Sequence, residues 1–420
     1  MSSQTWAAGP ANSAQQKAGE LRYVARQPIL DMRGKVHGYE LLFWNGNSKC
    51  SGADSDLATR AMLDNAVIFG LEELSLGLPA FVRCTADSIV EDWVQVLPPQ
   101  STVLELPAGI EATQGMLAAC RKLKAEGFRL ALSEFTGMPE TMDLVPLADY
   151  VKVNIETIDA VRRGNLPRVL KPFSACMLAE HVETHEIYGQ LCREGYELFQ
   201  GYYFCSPEPL DNRKIPGNRL VHLEILEDLQ QDPADLKRLS QLVMCDASLT
   251  YRLLRLVNSP LCAMRQAVTS IQSALMLVGE SAFRRMAMLA IAGDFNAGQS
   301  PEILRMAFER GRFCELAAGL CGLEPSEQYI IGMVSLFPAM LRIVMEDLVK
   351  LLPLRAKACD ALLGKESVEG ILLHWMVCQE HGDWLACDKI ARANNLRAEE
   401  LVRCQGEAVA WAQAALRSNA

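Results

Sequence analysis

The chain has 420 residues, half of them hydrophobic and 22% charged, with a formal net charge of −10 and an isoelectric point near 5.3. That acidic balance argues against nucleic acid, whose phosphates draw affinity from clustered Lys and Arg, and no apolar run approaches the roughly 20 residues that span a bilayer. The length predicts two domains of roughly 100 to 200 residues in a soluble, cytoplasmic protein, and the 14 cysteines, scattered without a C-x-x-C pair, fit reduced core thiols better than a zinc site or disulfide framework.

Residues 1–20 are polar and rich in Ala, Ser and Gln, lack the pattern of a secretory signal, and are expected to form a disordered tail. From 21 to 207, β-rich runs at 23–30, 36–43, 79–83, 102–106, 128–132, 150–153, 174–179 and 198–204 alternate with helical stretches at 56–69, 113–126, 155–162 and 184–194. This alternation predicts a parallel sheet and, from the number of units, a (β/α) barrel whose functional face lies at the C-terminal ends of the strands. Residues 208–218, with several Pro, Gly and Asn, read as a linker. Beyond it, apolar spacing near 3.6 predicts helices at 239–244, 249–257, 271–278, 283–291, 303–320, 330–349, 356–363, 368–379 and 408–416. The expected fold class is therefore α/β followed by an all-α part over 219–416. A short linker favours an interface between the two parts.

The run Gln27-Pro28-Ile29-Leu30-Asp31, followed by Gly38-Tyr39-Glu40-Leu41-Leu42, resembles the opening of EAL domains, the cyclic di-GMP phosphodiesterases. In that family the barrel mouth holds two divalent metals through carboxylates and an Asn, because cations a few ångströms apart need several hard oxygen ligands. The resemblance assigns Glu40 to the E-A-L signature, Glu105 to the metal-binding Glu and Lys152 to the Lys of K-I-D. It also assigns Glu180 and Glu183 to the A-E-G-V-E segment and Gln200-Gly201 to the terminal Q-G.

The departures are equally specific. Arg83 stands where the family has its metal-binding Asn, and a guanidinium offers no lone pair. Ser133-Glu134 replaces the Asp pair of D-D-F-G, Asn154 the Asp of K-I-D, Trp44 the Arg after E-A-L, and Ala108 the second acid of the Glu105 motif. Glu40, Glu105 and Glu180 also read as mouth carboxylates held in ion pairs, Lys152 as a structural counter-ion, and Trp44 either as core or as a stacking surface. Arg83 is expected to supply a fixed cation at the vacated position and to pair with Glu40, Glu105, Glu134 or Glu180.

The stretches 239–260 and 269–279, with Asp246 and the Asn258-Ser259 pair, resemble the HDOD domain, a helical relative of HD phosphohydrolases lacking their catalytic residues. No His-Asp dipeptide occurs in the chain. His374, beside Trp375, is expected to be partly buried, and Asn258 to end the preceding helix.

Together these resemblances imply a non-catalytic signalling adaptor or scaffold with no catalytic residue, no cofactor, and a protein partner that the sequence does not name. Two other readings stay open. One is a cyclic di-GMP receptor without turnover and with weak binding; the other is a phosphodiesterase, which would need Mg or Mn.

Overall fold

The computed structural model describes residues 23–44, 71–205, 222, 225, 236–244, 246–258, 268–296, 299–352 and 354–419. The expected tail at 1–20, the helix at 56–69 and the linker at 208–218 lie outside the described residues.

Eight strands close into a barrel in chain order: β1 Tyr23–Asp31, β2 Val36–Trp44, β3 Ala80–Arg83, β4 Thr102–Leu106, β5 Arg129–Leu132, β6 Tyr150–Asn154, β7 Cys176–Glu180 and β8 Leu198–Gln200. Side chains alternate across a strand, and here the alternation sorts chemistry. One set of residues, Leu41, Val82, Leu104, Leu130, Val151 and Phe199, joins the main apolar core. The other fills the barrel interior with a separate apolar layer of Ile29, Phe81, Val103, Ala131, Tyr150, Leu178 and Leu198.

The sheet departs from the parallel expectation at one strand. β1 runs antiparallel to both β2 and β8. Only residues 32–35 join β1 to β2, and a parallel crossover needs a dozen or more residues.

Six described helices accompany the strands: α1 Leu71–Leu74, α2 Ala86–Val90, α3 Gln114–Ala125, α4 Pro139–Met142, α5 Ala160–Leu170 and α6 His185–Glu194. Thr113, Asp159 and Thr184 cap α3, α5 and α6 by accepting backbone N–H bonds. The helix expected at 155–162 begins instead at Ala160, behind the Asp159 cap, and runs through Pro167. Proline removes the donor for the carbonyl four residues earlier, and the Tyr196 hydroxyl donates to that Arg163 carbonyl at 3.2 Å. The last strand is shorter than expected, ending at Gln200 before a 3-10 turn at Tyr203–Cys205.

Among the described residues the remainder is helical: α7 Leu236–Met244, α8 Ala247–Val257, α9 Ile271–Val278, α10 Glu280–Phe295, α11 Pro301–Ala317, α12 Pro325–Val334, α13 Phe337–Leu341, α14 Met345–Leu351, α15 Ala356–Leu362, α16 Ile371–Glu380, α17 Trp384–Ala393 and α18 Ala398–Asn419. The single helix expected at 330–349 is three, because Pro338 opens a new first turn and Arg342 adopts φ +57. Of the described cysteines, Cys84, Cys120, Cys314, Cys387 and Cys404 are buried and all are free thiols.

The barrel and the helices share a buried ionic interface. The Tyr39 hydroxyl of β2 donates to Glu302 of α11 at 3.0 Å. Arg305 pairs with both Glu302 and Glu309, and Arg26 of β1 reaches Glu309. The Tyr39 ring lies 5.5 Å from the Arg26 guanidinium and 5.8 Å from that of Arg305, within cation–π range. Arg305, Glu302 and Glu309 are at most 6% exposed. Removing one member of a buried ion pair leaves its partner uncompensated, at a cost of about 3–5 kcal/mol. Arg305→Met is therefore expected to destabilise the whole chain by that order, and denaturant unfolding followed by circular dichroism and tryptophan fluorescence should show both parts melting in one transition.

Candidate functional site

Directly above the apolar interior layer, two residues further along each of these strands, or two residues back in the reversed β1, lies a polar layer. It comprises Gln27, Glu40, Arg83, Glu105, Ser133, Lys152, Glu180 and Gln200. Their convergence follows from the strand ends meeting at one face of a barrel.

Lys152 sits at its centre with no exposed side-chain surface. Its ammonium lies 2.8 Å from Glu40, 2.6 Å from Glu105 and 3.0 Å from Glu180. Arg83 adds a second cation from the rim, its Nε donating to Glu40 at 2.7 Å and standing 3.8 Å from Glu105, while 61% of its side chain remains exposed. Ser133 Oγ donates to Glu105 at 3.3 Å. Gln200 Nε2 donates to Glu40 at 2.7 Å and to the Gln27 carbonyl oxygen at 2.9 Å.

Three carboxylates thus face two cations. Burial opposes ionisation of Glu40, but Lys152 and Arg83 outweigh it and hold that carboxyl well below the usual range. Burial and then the charge of Glu40 push Glu105 up to about 7, so a proton on Glu105 can remove the excess negative charge. For Lys152, burial opposes the charge, and Glu105, Glu40 and Glu180 together hold the ammonium above its ordinary value.

Gly201 fixes this corner. It has φ +146, and a Cβ there would stand 2.1 Å from the Val182 carbonyl oxygen. Val182 N–H donates to the Gln200 carbonyl at 2.9 Å, and Tyr203 N–H to the Val182 carbonyl at 3.0 Å. Only glycine lets these backbones approach so closely.

Several residues that the sequence singled out lie elsewhere. Glu134 is exposed at φ +47 and borders a cavity of about 220 Å³ between the ends of β4 and β5, with Ile110, Phe135 and Met138; Arg83 pairs with Glu40 and Glu105 instead. Glu183 and Ala108 are exposed. Asn154 Oδ1 accepts the Glu156 N–H at 3.1 Å and closes the turn after β6. Trp44 ends β2, and its ring lies outside the described residues.

Gln27, part of the Gln27–Asp31 run, joins the site although its sequence position did not mark it as a site residue. Its place follows from strand register: Gln27 opposes Glu40 across β1 and β2 and is two residues from the interior Ile29. Its Nε2 donates to the Glu380 backbone carbonyl of α16 at 3.3 Å.

In the helical part, Asn258 ends α8 as expected, donating to the Leu254 and Val268 carbonyls at 2.8 Å and accepting the Val268 N–H at 2.7 Å. Asp246 accepts the Leu249 N–H at 3.0 Å, capping the same helix, and lies 3.0 Å from the buried His222. His374, expected to be partly buried, is exposed, whereas Trp375 is 1% exposed. The one-residue step turns His374 to the outer face of α16. Among the described residues no group of three His, Cys, Asp or Glu is arranged to hold a metal ion, and no helix is long and apolar enough to cross a membrane.

Lys152→Met strands three buried carboxylates and should cost about 3–5 kcal/mol, whereas Arg83→Ala, open to solvent, should cost about 1 kcal/mol or less; urea denaturation measures both. Because the folded state holds a proton on Glu105 that the unfolded chain has lost, this group's stabilisation should fall as pH rises from about 4.5 to about 7. Glu105→Gln should flatten that slope in stability measured against pH.

Residues 215–350 match the HDOD domain family. The uncharacterized protein YuxH of Bacillus subtilis is 30% identical over 402 residues, covering 93% of this chain and 97% of that protein. The cyclic di-GMP phosphodiesterase CdgJ of Vibrio cholerae is 29% identical over 398 residues, covering 93% and 92% respectively. Solved structures similar to the first part include an EAL domain protein from Listeria monocytogenes at 21% identity and TM-score 0.35, covering 44% of this chain and 87% of that one. Another is BlrP1 of Klebsiella pneumoniae at 22% identity and TM-score 0.37, covering 44% of this chain and 55% of that one. At 30% identity over 93% of its length the chain belongs to the family of YuxH, and it joins an eight-stranded barrel to a helical part that contains an HDOD domain.

Proposed function

We propose that the protein is a non-catalytic signalling adaptor whose barrel mouth no longer hydrolyses cyclic di-GMP and whose HDOD part engages a protein partner. One observation carries this reading: the three mouth carboxylates already converge on the Lys152 ammonium, with the Arg83 guanidinium closing over Glu40 and Glu105. A pair of divalent cations does not fit this donor set. Arg83 has no lone pair to give, Ser133 offers a neutral hydroxyl bound to Glu105, and Glu134 faces away from the cluster. Without a metal to activate water and compensate the phosphate, the hydrolytic chemistry that the fold family uses has no agent here.

The opposing reading rests on CdgJ, a relative named as a cyclic di-GMP phosphodiesterase. Titrating the purified protein with cyclic di-GMP, with and without Mg²⁺ or Mn²⁺, while following both binding and product, separates the two. The expected result is no linear dinucleotide. Product that scales with protein concentration and disappears in Glu105→Gln would establish the phosphodiesterase instead, and binding without product would make the barrel a receptor.

A further inference from the structure

The polar layer does not stop at the barrel wall. Gln200 Nε2 is shared between Glu40 Oε2 at 2.7 Å and Gln27 Oε1 at 2.9 Å, and Gln27 Nε2 continues to the Glu380 carbonyl at 3.3 Å. Amide orientation is usually ambiguous because oxygen and nitrogen have nearly the same size. Here both ends of the chain settle it. An ionised Glu40 only accepts, so the Gln200 nitrogen must face it. The Glu380 carbonyl only accepts, so the Gln27 nitrogen must face that. The Gln27 oxygen is then left for the remaining Gln200 hydrogen.

Gln200 Oε1 is buried without a hydrogen-bond partner, so the bonds on the other side of the amide, to Glu40 and Gln27, are what hold this orientation. If Glu40 ceases to accept, Gln200 can turn over and present its oxygen to Gln27. Gln27 must then offer its nitrogen inward, bringing its oxygen against the Glu380 carbonyl. Two acceptors now meet, and the bond to the HDOD part is lost. The two amides therefore have two discrete arrangements, the physical requirement for passing a signal between sites.

The receiving segment is built into the interface. The Glu380 carboxylate is held by Arg310 at 2.9 and 2.6 Å, His381 stacks on Tyr202 with ring centroids 3.9 Å apart, and Gly382, at φ +71, lies where a Cβ would come 2.8 Å from Leu42. Tyr202 follows the Gln200-Gly201 corner of the mouth.

We propose that Gln200 and Gln27 form a two-amide relay, by which engagement of Glu40 in the barrel mouth is reported to the turn at 380–382 that follows α16 of the HDOD part. This rests on the adaptor reading of the chain, and its test needs neither ligand nor turnover, so a failed relay and a failed adaptor reading give different results.

The test is hydrogen exchange on the full chain, read at His381, Gly382 and Asp383, whose N–H groups donate to Val377, Gln379 and Cys378, with α3 on the far side of the barrel as internal reference. Glu40→Met removes the acceptor while leaving Lys152 and Arg83 matched by Glu105 and Glu180. Gln27→Met cuts the last link. Losing one hydrogen bond should speed exchange at the turn roughly fivefold in each single variant. The double variant should be no faster than either, with α3 unchanged throughout. Unchanged exchange at the turn in folded Glu40→Met, or effects that multiply in the double variant, would overturn the relay. If Glu40→Met does not fold, Gln200→Met takes its place in the same cycle, with the same two outcomes.

Discussion

A lysine ammonium sealed inside the barrel is the constraint on which the rest of this structure turns. Lys152 has no exposed side-chain surface, and a buried charge without partners costs several kcal/mol. Glu40, Glu105 and Glu180 meet that demand from three different strands, which ties the register of β2, β4, β6 and β7 to one point. The apolar layer beneath, from Ile29 to Leu198, excludes water from below and makes each of these contacts stronger than it would be at a surface. Arg83 sits differently. It is largely exposed, adjusts the charge of the cluster from the rim, and contributes less to holding the barrel together.

The same economy of charge governs the interface. Glu302 and Glu309 are buried only because Arg305, Arg26 and Tyr39 meet them there, and two of those three residues belong to the barrel. The HDOD part is thus matched to this particular sheet face, and the β1–β2 hairpin carries both the mouth residues Gln27 and Glu40 and the interface residues Arg26 and Tyr39. Neighbouring residues on one strand point to opposite sides, so a single hairpin faces the site with one set of side chains and the partner domain with the other. Such a hairpin places the two modules in direct physical contact.

Much of this was legible in the sequence, for reasons that differ by residue. The strands from Ala80 to Glu180 announce themselves through apolar runs closed by a polar residue, and the acids and Lys152 could be placed at the mouth because strand ends converge in a barrel. The reversal of β1 was hidden from composition, since its alternation reads the same in either direction; the short connection through Gly34 was the available clue. The helix around Pro167 was not legible, because the Tyr196 hydroxyl that compensates the proline comes from another element, 29 residues away in the chain. Gln27 was missed because an uncharged amide in a strand carries no chemical signal until its register opposite Glu40 is known. Glu134 was grouped with the other acids by type, and a single left-handed backbone conformation turns it away.

The central claim is that fixed cations have taken the place of metal in the mouth. Calorimetric titration of Mn²⁺ into the full-length protein tests it most directly, with the Arg83→Asn, Ser133→Asp double variant run alongside. The account predicts no saturable uptake by the natural sequence and a measurable site in the variant, where an amide oxygen and a carboxylate return to the rim. Saturable Mn²⁺ binding by the natural sequence that is lost in Glu105→Gln would contradict it.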